Sequence, residues 1–358
     1  MNGIRNSRAI PTVTTTTSSS TTSTTEEKTT TVARTTTTTA TPTTTRRKMR
    51  TNSTHFKWIQ NGITVAGGNG IGNKSYQLNR PNGIYIDDDD DNDDEPTIYI
   101  CEESIPRVVK WKYGEKKGEV VAGQYGYGSR ANQLKTPSDI VIDKRKESLI
   151  ICDSGTRRVV KWFLRNKTYH QIFISDISCS GIAMDNNGGL YVSDFRNDEV
   201  RRWREEESNG ILVAGGNGKG NGLNQLSGPA YLFVDQDHSI YISDSFNNRV
   251  MKWIKGAKEG IVVASTQDPE NILTRLNAPQ GVFVDQLGNI FVASYRDERI
   301  MRWPKGSEEG SIVVGGNKYG SESNQLYGPK GLSFDRQGNI YVADYLNHRV
   351  QRFDVADD

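Results

Sequence analysis

Short alternating or β-branched runs recur along the chain from His55 onward, each broken within a few residues by Gly, Asn, Asp or Pro. Alternation sends successive side chains to opposite faces of a strand, so these runs predict β-strands. No stretch of useful length shows the i, i+3, i+4 recurrence of an amphipathic helix. Between residues 230 and 264 the runs Ala230–Asp235, Ile240–Ser243, Arg249–Ile254 and Ile261–Ala264 predict four consecutive strands, lettered a to d.

That interval repeats. The segment Ile340–Phe353 recurs as Ile98–Trp111, Leu149–Trp162, Leu190–Trp203, Ile240–Trp253 and Ile290–Trp303, and the closing aromatics stand 51, 41, 50, 50 and 50 residues apart. Four strands per period suit the blade of a β-propeller. Strand a begins near Ile84, Ile140, Ile182, Leu232, Val282 and Leu332, and strand d near Ile63, Val120, Ile172, Leu212, Val262 and Ile312. The first strand d precedes any complete period, whereas the last period lacks one. Ile63–Ala66 is therefore expected to supply the outer strand of a sixth blade, closing the ring and pairing edges that would otherwise be open.

Composition divides the chain in two. Residues 1–54 contain 23 Thr and almost no aliphatic or aromatic side chains, with eight Lys/Arg against two Glu. This reads as a disordered, basic Thr/Ser-rich segment before a folded domain over 55–358. The domain holds 37 basic against 41 acidic residues, so it lacks the positive excess of a generic nucleic-acid binder. No apolar stretch is long enough for a transmembrane helix, and Met1–Val13 lacks the apolar core of a signal peptide. The compartment stays open, since a Thr-rich stretch also suits a glycosylated stalk and sequons stand at Asn52, Asn73 and Asn166. Cys101, Cys152 and Cys179 show no close metal-ligand spacing and are expected to be small buried hydrophobes.

The pattern Asp-x-x-Asn-x-Arg-Val stands intact at Asp244, Asn247, Arg249, Val250 and at Asp344, Asn347, Arg349, Val350. The connection Ala-Gly-Gly-Asn-Gly…Asn-Gln-Leu…Pro runs from Ala214 to Pro229 and recurs, with small changes, from Ala66, Ala122 and Val314. By these motifs the chain resembles the NHL-repeat propellers over about 85 per cent of its length. The resemblance implies an all-β, six-bladed propeller. It leaves function open, because such propellers serve as protein-interaction, RNA-binding and sensor modules and, in one case, as a metal-dependent lyase.

Residues that repeat in most blades are expected to serve the fold. The pairs Asp153 with Arg158, Asp244 with Arg249 and Asp344 with Arg349 should fix the b-to-c turns by charge-assisted hydrogen bonds. The Gly-rich runs lack the following helix of a phosphate loop. Asp87–Glu95, with eight acids in nine residues, reads as a solvated insertion without the spacing of a calcium loop. His55, His170, His238 and His348 do not fall at matched blade positions, so no catalytic, metal or cofactor site is expected.

Where the repeats differ, the b-to-c turns present Phe195, Arg196, Phe246, Tyr295, Arg296, Tyr345 and His348. Aromatic rings beside Arg suit a peptide or single-stranded nucleic acid. The sequence thus predicts a monomeric, non-catalytic platform for an unidentified protein or peptide. RNA on the same face and a metal-dependent hydrolase or lyase are the alternatives.

Overall fold

A computed structural model describes residues 57–88, 95–166, 170–205, 207–266, 271 and 273–356. The Thr-rich segment and most of the acidic insertion lie outside them.

Strands β2–β5 (Pro81–Asp87, Thr97–Glu102, Arg107–Lys112, Glu119–Ala122) form blade 1, and β6–β9 (Pro137–Asp143, Ser148–Asp153, Arg158–Phe163, His170–Ser175) form blade 2. Blade 3 is β10–β13 (Cys179–Met184, Leu190–Asp194, Glu199–Trp203, Ile211–Gly215), and blade 4 is β14–β17 (Pro229–Val234, Ile240–Asp244, Arg249–Trp253, Ile261–Ser265). Blade 5 is β18–β21 (Pro279–Val284, Ile290–Ser294, Arg299–Trp303, Ser311–Gly315). Blade 6 takes β22–β24 (Pro329–Phe334, Ile340–Asp344, Arg349–Phe353) and completes itself with β1 (Ile63–Gly67).

The early strand closes the ring as its sequence position requires. β1 runs antiparallel to β24, with Ile63 opposite Arg352 and Gly67 opposite Arg349. Trp58 adds a second tie: its ring meets Phe291 edge-on at 5.5 Å, and its Nε1 donates to Gly338 O at 3.0 Å.

Blades are held side by side by burial of the residues that alternate along each strand. Ile84, Ile98 and Val109 of blade 1 pack with Tyr341 and Ala343 of blade 6, and equivalent clusters fill the other junctions. The closing rings Trp111, Trp162, Trp253, Trp303 and Phe353 are fully buried, each removing a large apolar area from water.

The cysteines require a correction. Cys101 is a buried free thiol, but Cys152 and Cys179 form a disulfide with their Cα atoms 5.7 Å apart. Cys152 lies on the second strand of blade 2, facing the first residue of the inner strand of blade 3. In every other blade that first residue is Pro, at 81, 137, 229, 279 and 329; in blade 3 it is Cys179. Cys101 occupies the blade 1 equivalent of Cys152, but its counterpart in blade 2 is Pro137, so it has no sulfur to meet.

Candidate functional site

An antiparallel a-b-c-d blade places its b-to-c turn and the connection from strand d to the next strand a on one face of the ring, and its a-to-b and c-to-d turns on the other. The first face carries the repeated Asp and Arg. Asp244 Oδ2 accepts from Arg249 Nε at 2.7 Å and Asn247 Nδ2 at 2.8 Å, while Oδ1 accepts from Ser227 N at 2.6 Å. Arg249 also donates to the carbonyls of Asn221, Gly222 and Gln225. Asp344, Asn347 and Arg349 repeat the arrangement on Ser321, Glu322 and Gln325. Asp153 and Arg158 do the same without the Asn, Oδ1 accepting from Lys135 and Thr136 N–H. Each ion pair therefore stitches a Gly-rich connection to a b-to-c turn, with its polar groups engaged inside the protein. In blade 5, where Ser294 replaces the Asp, Asp297 supplies the carboxylate and accepts from Arg275 Nε at 2.7 Å.

Nearer the axis the repeat breaks. The third residue of each inner strand is Gly in four blades, because a neighbouring inner strand passes close: a Cβ on Gly331 would stand 2.5 Å from Asn82 O, and one on Gly83 would stand 2.5 Å from Asp139 Cα. Blades 2 and 4 carry Asp139 and Tyr231 instead. Asp139 is buried with its oxygens on the N–H groups of Ile140 and Ile182, both at 2.9 Å. Burial pushes its carboxyl up to about 7, against the pull of those two hydrogen bonds. Tyr231 points across the ring. Its hydroxyl donates to Asn82 Oδ1 at 2.6 Å, joining blade 4 to blade 1.

Above this bolt the mouth is lined by the second residue of each inner strand, which varies between blades: Asn82, Ser138, Ser180, Ala230, Gln280 and Lys330. Lys330 Nζ donates to Glu103 Oε2 at 3.1 Å and stands 3.9 Å from the centre of the Tyr345 ring, a cation–π arrangement. Asn82 Nδ2 donates to the same Glu103 oxygen at 3.1 Å. Arg80 approaches the Tyr345 ring at 5.7 Å, and its main-chain N–H donates to His348 Nδ1 at 3.1 Å. Burial, then Glu103 beside it, pushes the Tyr345 hydroxyl up, keeping it a proton donor. Burial and the nearby Arg80 charge hold the Lys330 ammonium below its usual range against the pull of Glu103.

The seven variable turn residues separate into two groups. Phe195 and Phe246 meet edge-on at 5.4 Å and remain 39% and 60% exposed, and Arg196 in the same turn as Phe195 and Arg296 in the next blade are exposed. Tyr345 is instead buried under Lys330, while Tyr295 and His348 are half-buried. Arg80, Asn82, Tyr231 and Lys330 escaped the turn-based reading, because they lie on or beside inner strands; Glu103 opens the b-to-c turn of blade 1, where Phe195, Tyr295 and Tyr345 stand in other blades, and was passed over because it is not aromatic. The signal was present in the Pro-x-Gly opening of those strands, where Lys330 and Tyr231 stand out.

The opposite face holds a cavity of 1210 Å³ reaching the axis, floored by Phe233, Phe283 and Phe334. Its repeated aspartates are occupied by their own turns: Asp285 Oδ1 accepts from Leu287 and Asn289 N–H, and Asp335 Oδ1 from Gln337 and Asn339 N–H. Among the described residues no three His, Cys, Asp or Glu side chains converge as metal ligands, and no helix is long and apolar enough to cross a membrane.

Six four-stranded sheets around an axis, closed by a strand from the other end of the chain, define a six-bladed β-propeller. The NHL repeat family matches residues 326–353, the run through the first three strands of blade 6, so the propeller carries an NHL repeat there. Solved structures share the fold at low identity. A protein of unknown function from Bacteroides thetaiotaomicron superposes with a TM-score of 0.66 at 18% identity, covering 84% of this chain and 77% of the other. An auxiliary nutrient binding protein from the same organism gives 0.63 at 13%, covering 85% and 78%. Virginiamycin B lyase from Staphylococcus aureus gives 0.52 at 12%, covering 84% and 100%. No curated protein sequence matches the chain.

Proposed function

We propose that this propeller is a non-catalytic binding module that takes a protein or peptide on the face bearing the b-to-c turns. The carrying observation is that residues outside the repeat converge at one mouth, where Lys330, Glu103, Asn82 and Tyr345 form a connected polar network over the Tyr231 bolt. A network that repeats in no other blade adds nothing that the fold requires elsewhere, and its place at a concave, aromatic-lined mouth suits ligand recognition. Around it, the exposed Phe195–Phe246 pair offers the kind of rigid aromatic contact that anchors interfaces. The nutrient-binding neighbour is in keeping with a propeller used for capture rather than chemistry.

The test is selection of displayed peptides on the full-length chain, followed by binding measurements with purified variants. Selected peptides should lose at least tenfold in affinity on Phe246→Ala, an exposed position, with the melting temperature unchanged. Peptides that bind Phe246→Ala and Tyr295→Ala as well as the parent would place the contact elsewhere and remove this reading.

A further inference from the structure

The mouth holds an uneven set of charges. Lys330 and Arg80 both lie against the Tyr345 ring, and the carboxylate bonded within this group is Glu103. Glu103 accepts on one oxygen from the Lys330 ammonium and the Asn82 amide, both at 3.1 Å, and its side chain also takes the Tyr345 hydroxyl. Lys330 therefore keeps N–H capacity beyond its one bond to Glu103. Its side chain is 17% exposed, enough to be reached from the mouth yet poorly hydrated. Arg80 is exposed, and among the described residues no carboxylate lies within ion-pair distance of its guanidinium. Two cations near one carboxylate leave a local positive charge at the mouth, and at the partly desolvated Lys330 an incoming anion gains more than it would on an open surface.

We propose that Arg80 and Lys330 form a seat for a carboxylate carried by an acidic segment of a polypeptide. This rests on the binding-module reading and names the chemistry that the mouth selects. A planar carboxylate matches the fork of the Arg80 guanidinium and leaves its second oxygen for Lys330. Tyr345 holds Lys330 from beneath at 3.9 Å, so little side-chain entropy is lost at that residue on binding. A nucleic acid strand fits less well, because the domain holds 37 basic against 41 acidic residues and so lacks the extended positive surface that a phosphate backbone requires. The Cys152–Cys179 disulfide also favours a peptide, since such bonds persist where thiols are oxidised rather than in the reducing compartments where RNA resides.

The experiment uses the full-length chain and four fluorescein-labelled probes read by anisotropy: a Glu/Gly/Ser peptide with an amidated C-terminus, its Gln counterpart also amidated, the Gln counterpart with a free terminal carboxylate, and oligo(U). The acidic probe should bind at least tenfold more tightly than the amidated Gln probe. Arg80→Gln and Lys330→Gln should each abolish most of that preference. The third probe separates a terminal from a side-chain carboxylate: binding as tight as the acidic probe assigns the seat to a chain terminus. Equal affinity for the acidic and amidated Gln probes, or a preference that survives both substitutions, overturns the proposal. Tighter binding of oligo(U) than of any peptide overturns it in favour of nucleic acid. Should Lys330→Gln fail to fold, Arg80→Gln decides alone, because Arg80 is exposed. Displayed peptides that depend on Phe246 but carry no acidic residue would leave the binding module standing and remove the carboxylate seat.

Discussion

The Tyr231 hydroxyl in blade 4 donates to Asn82 Oδ1 in blade 1 at 2.6 Å, a hydrogen bond thrown across the axis of the ring. It separates the two mouths of the channel and braces opposite blades that otherwise meet only through their neighbours. Tyr231→Phe leaves the buried Asn82 carbonyl without its donor, which costs about 1–3 kcal/mol. Denaturant unfolding should show that loss, and a midpoint equal to that of the parent would mean that the bolt bears no load.

Asp139 predicts a pH dependence. Its carboxyl stands at about 7 in the folded protein and near 3.9 in an unfolded chain. The folded state thus holds the proton more tightly, and stability is fully present below about pH 4 and lost as pH rises towards 7. The melting temperature should fall over that interval by an amount reflecting a few kcal/mol. Asp139→Gly, which restores the residue found at this position in four other blades, should flatten the fall.

The disulfide gives a simple count. In denaturant without reductant one thiol, that of Cys101, should react per chain; after reduction all three should. Its partners are 27 residues apart, a closure worth about 3.5 kcal/mol. Reduction should therefore lower the melting temperature, and three reactive thiols before reduction would contradict the bridge.

Ring closure is tested by truncation. Removing residues 1–67 takes away β1 and Trp58 and should lower the melting temperature sharply, since blade 6 loses its outer strand. Removing residues 1–50 alone should leave it unchanged. Similar melting of the two truncated chains would mean that the early strand contributes nothing to closure.

The blade count, strand order and closure by Ile63–Ala66 were all legible in the sequence. Each strand type repeats separately, and the unmatched strand d at the start has one vacancy to fill. Boundaries agree closely: the run read as Ala230–Asp235 is Pro229–Val234 in the structure. The disulfide was not legible, because it depends on two residues facing each other across a blade junction, and spacing alone does not show that. The mouth was half legible. Turn variation singled out Phe246 and Tyr295, but Lys330 and Arg80 come together only because inner strands from the first and last blades meet around the axis.

The bond between the first strand and the last has a consequence for synthesis. As the polypeptide leaves the ribosome, blades 1 to 5 can pair from within themselves, whereas Ile63–Gly67 must wait for Arg349–Phe353. Throughout translation that early segment is an unsatisfied β-strand, exposed to pairing with other nascent chains. A message cut short before Arg349 would produce a protein in which five blades are complete and the sticky strand has nowhere to go.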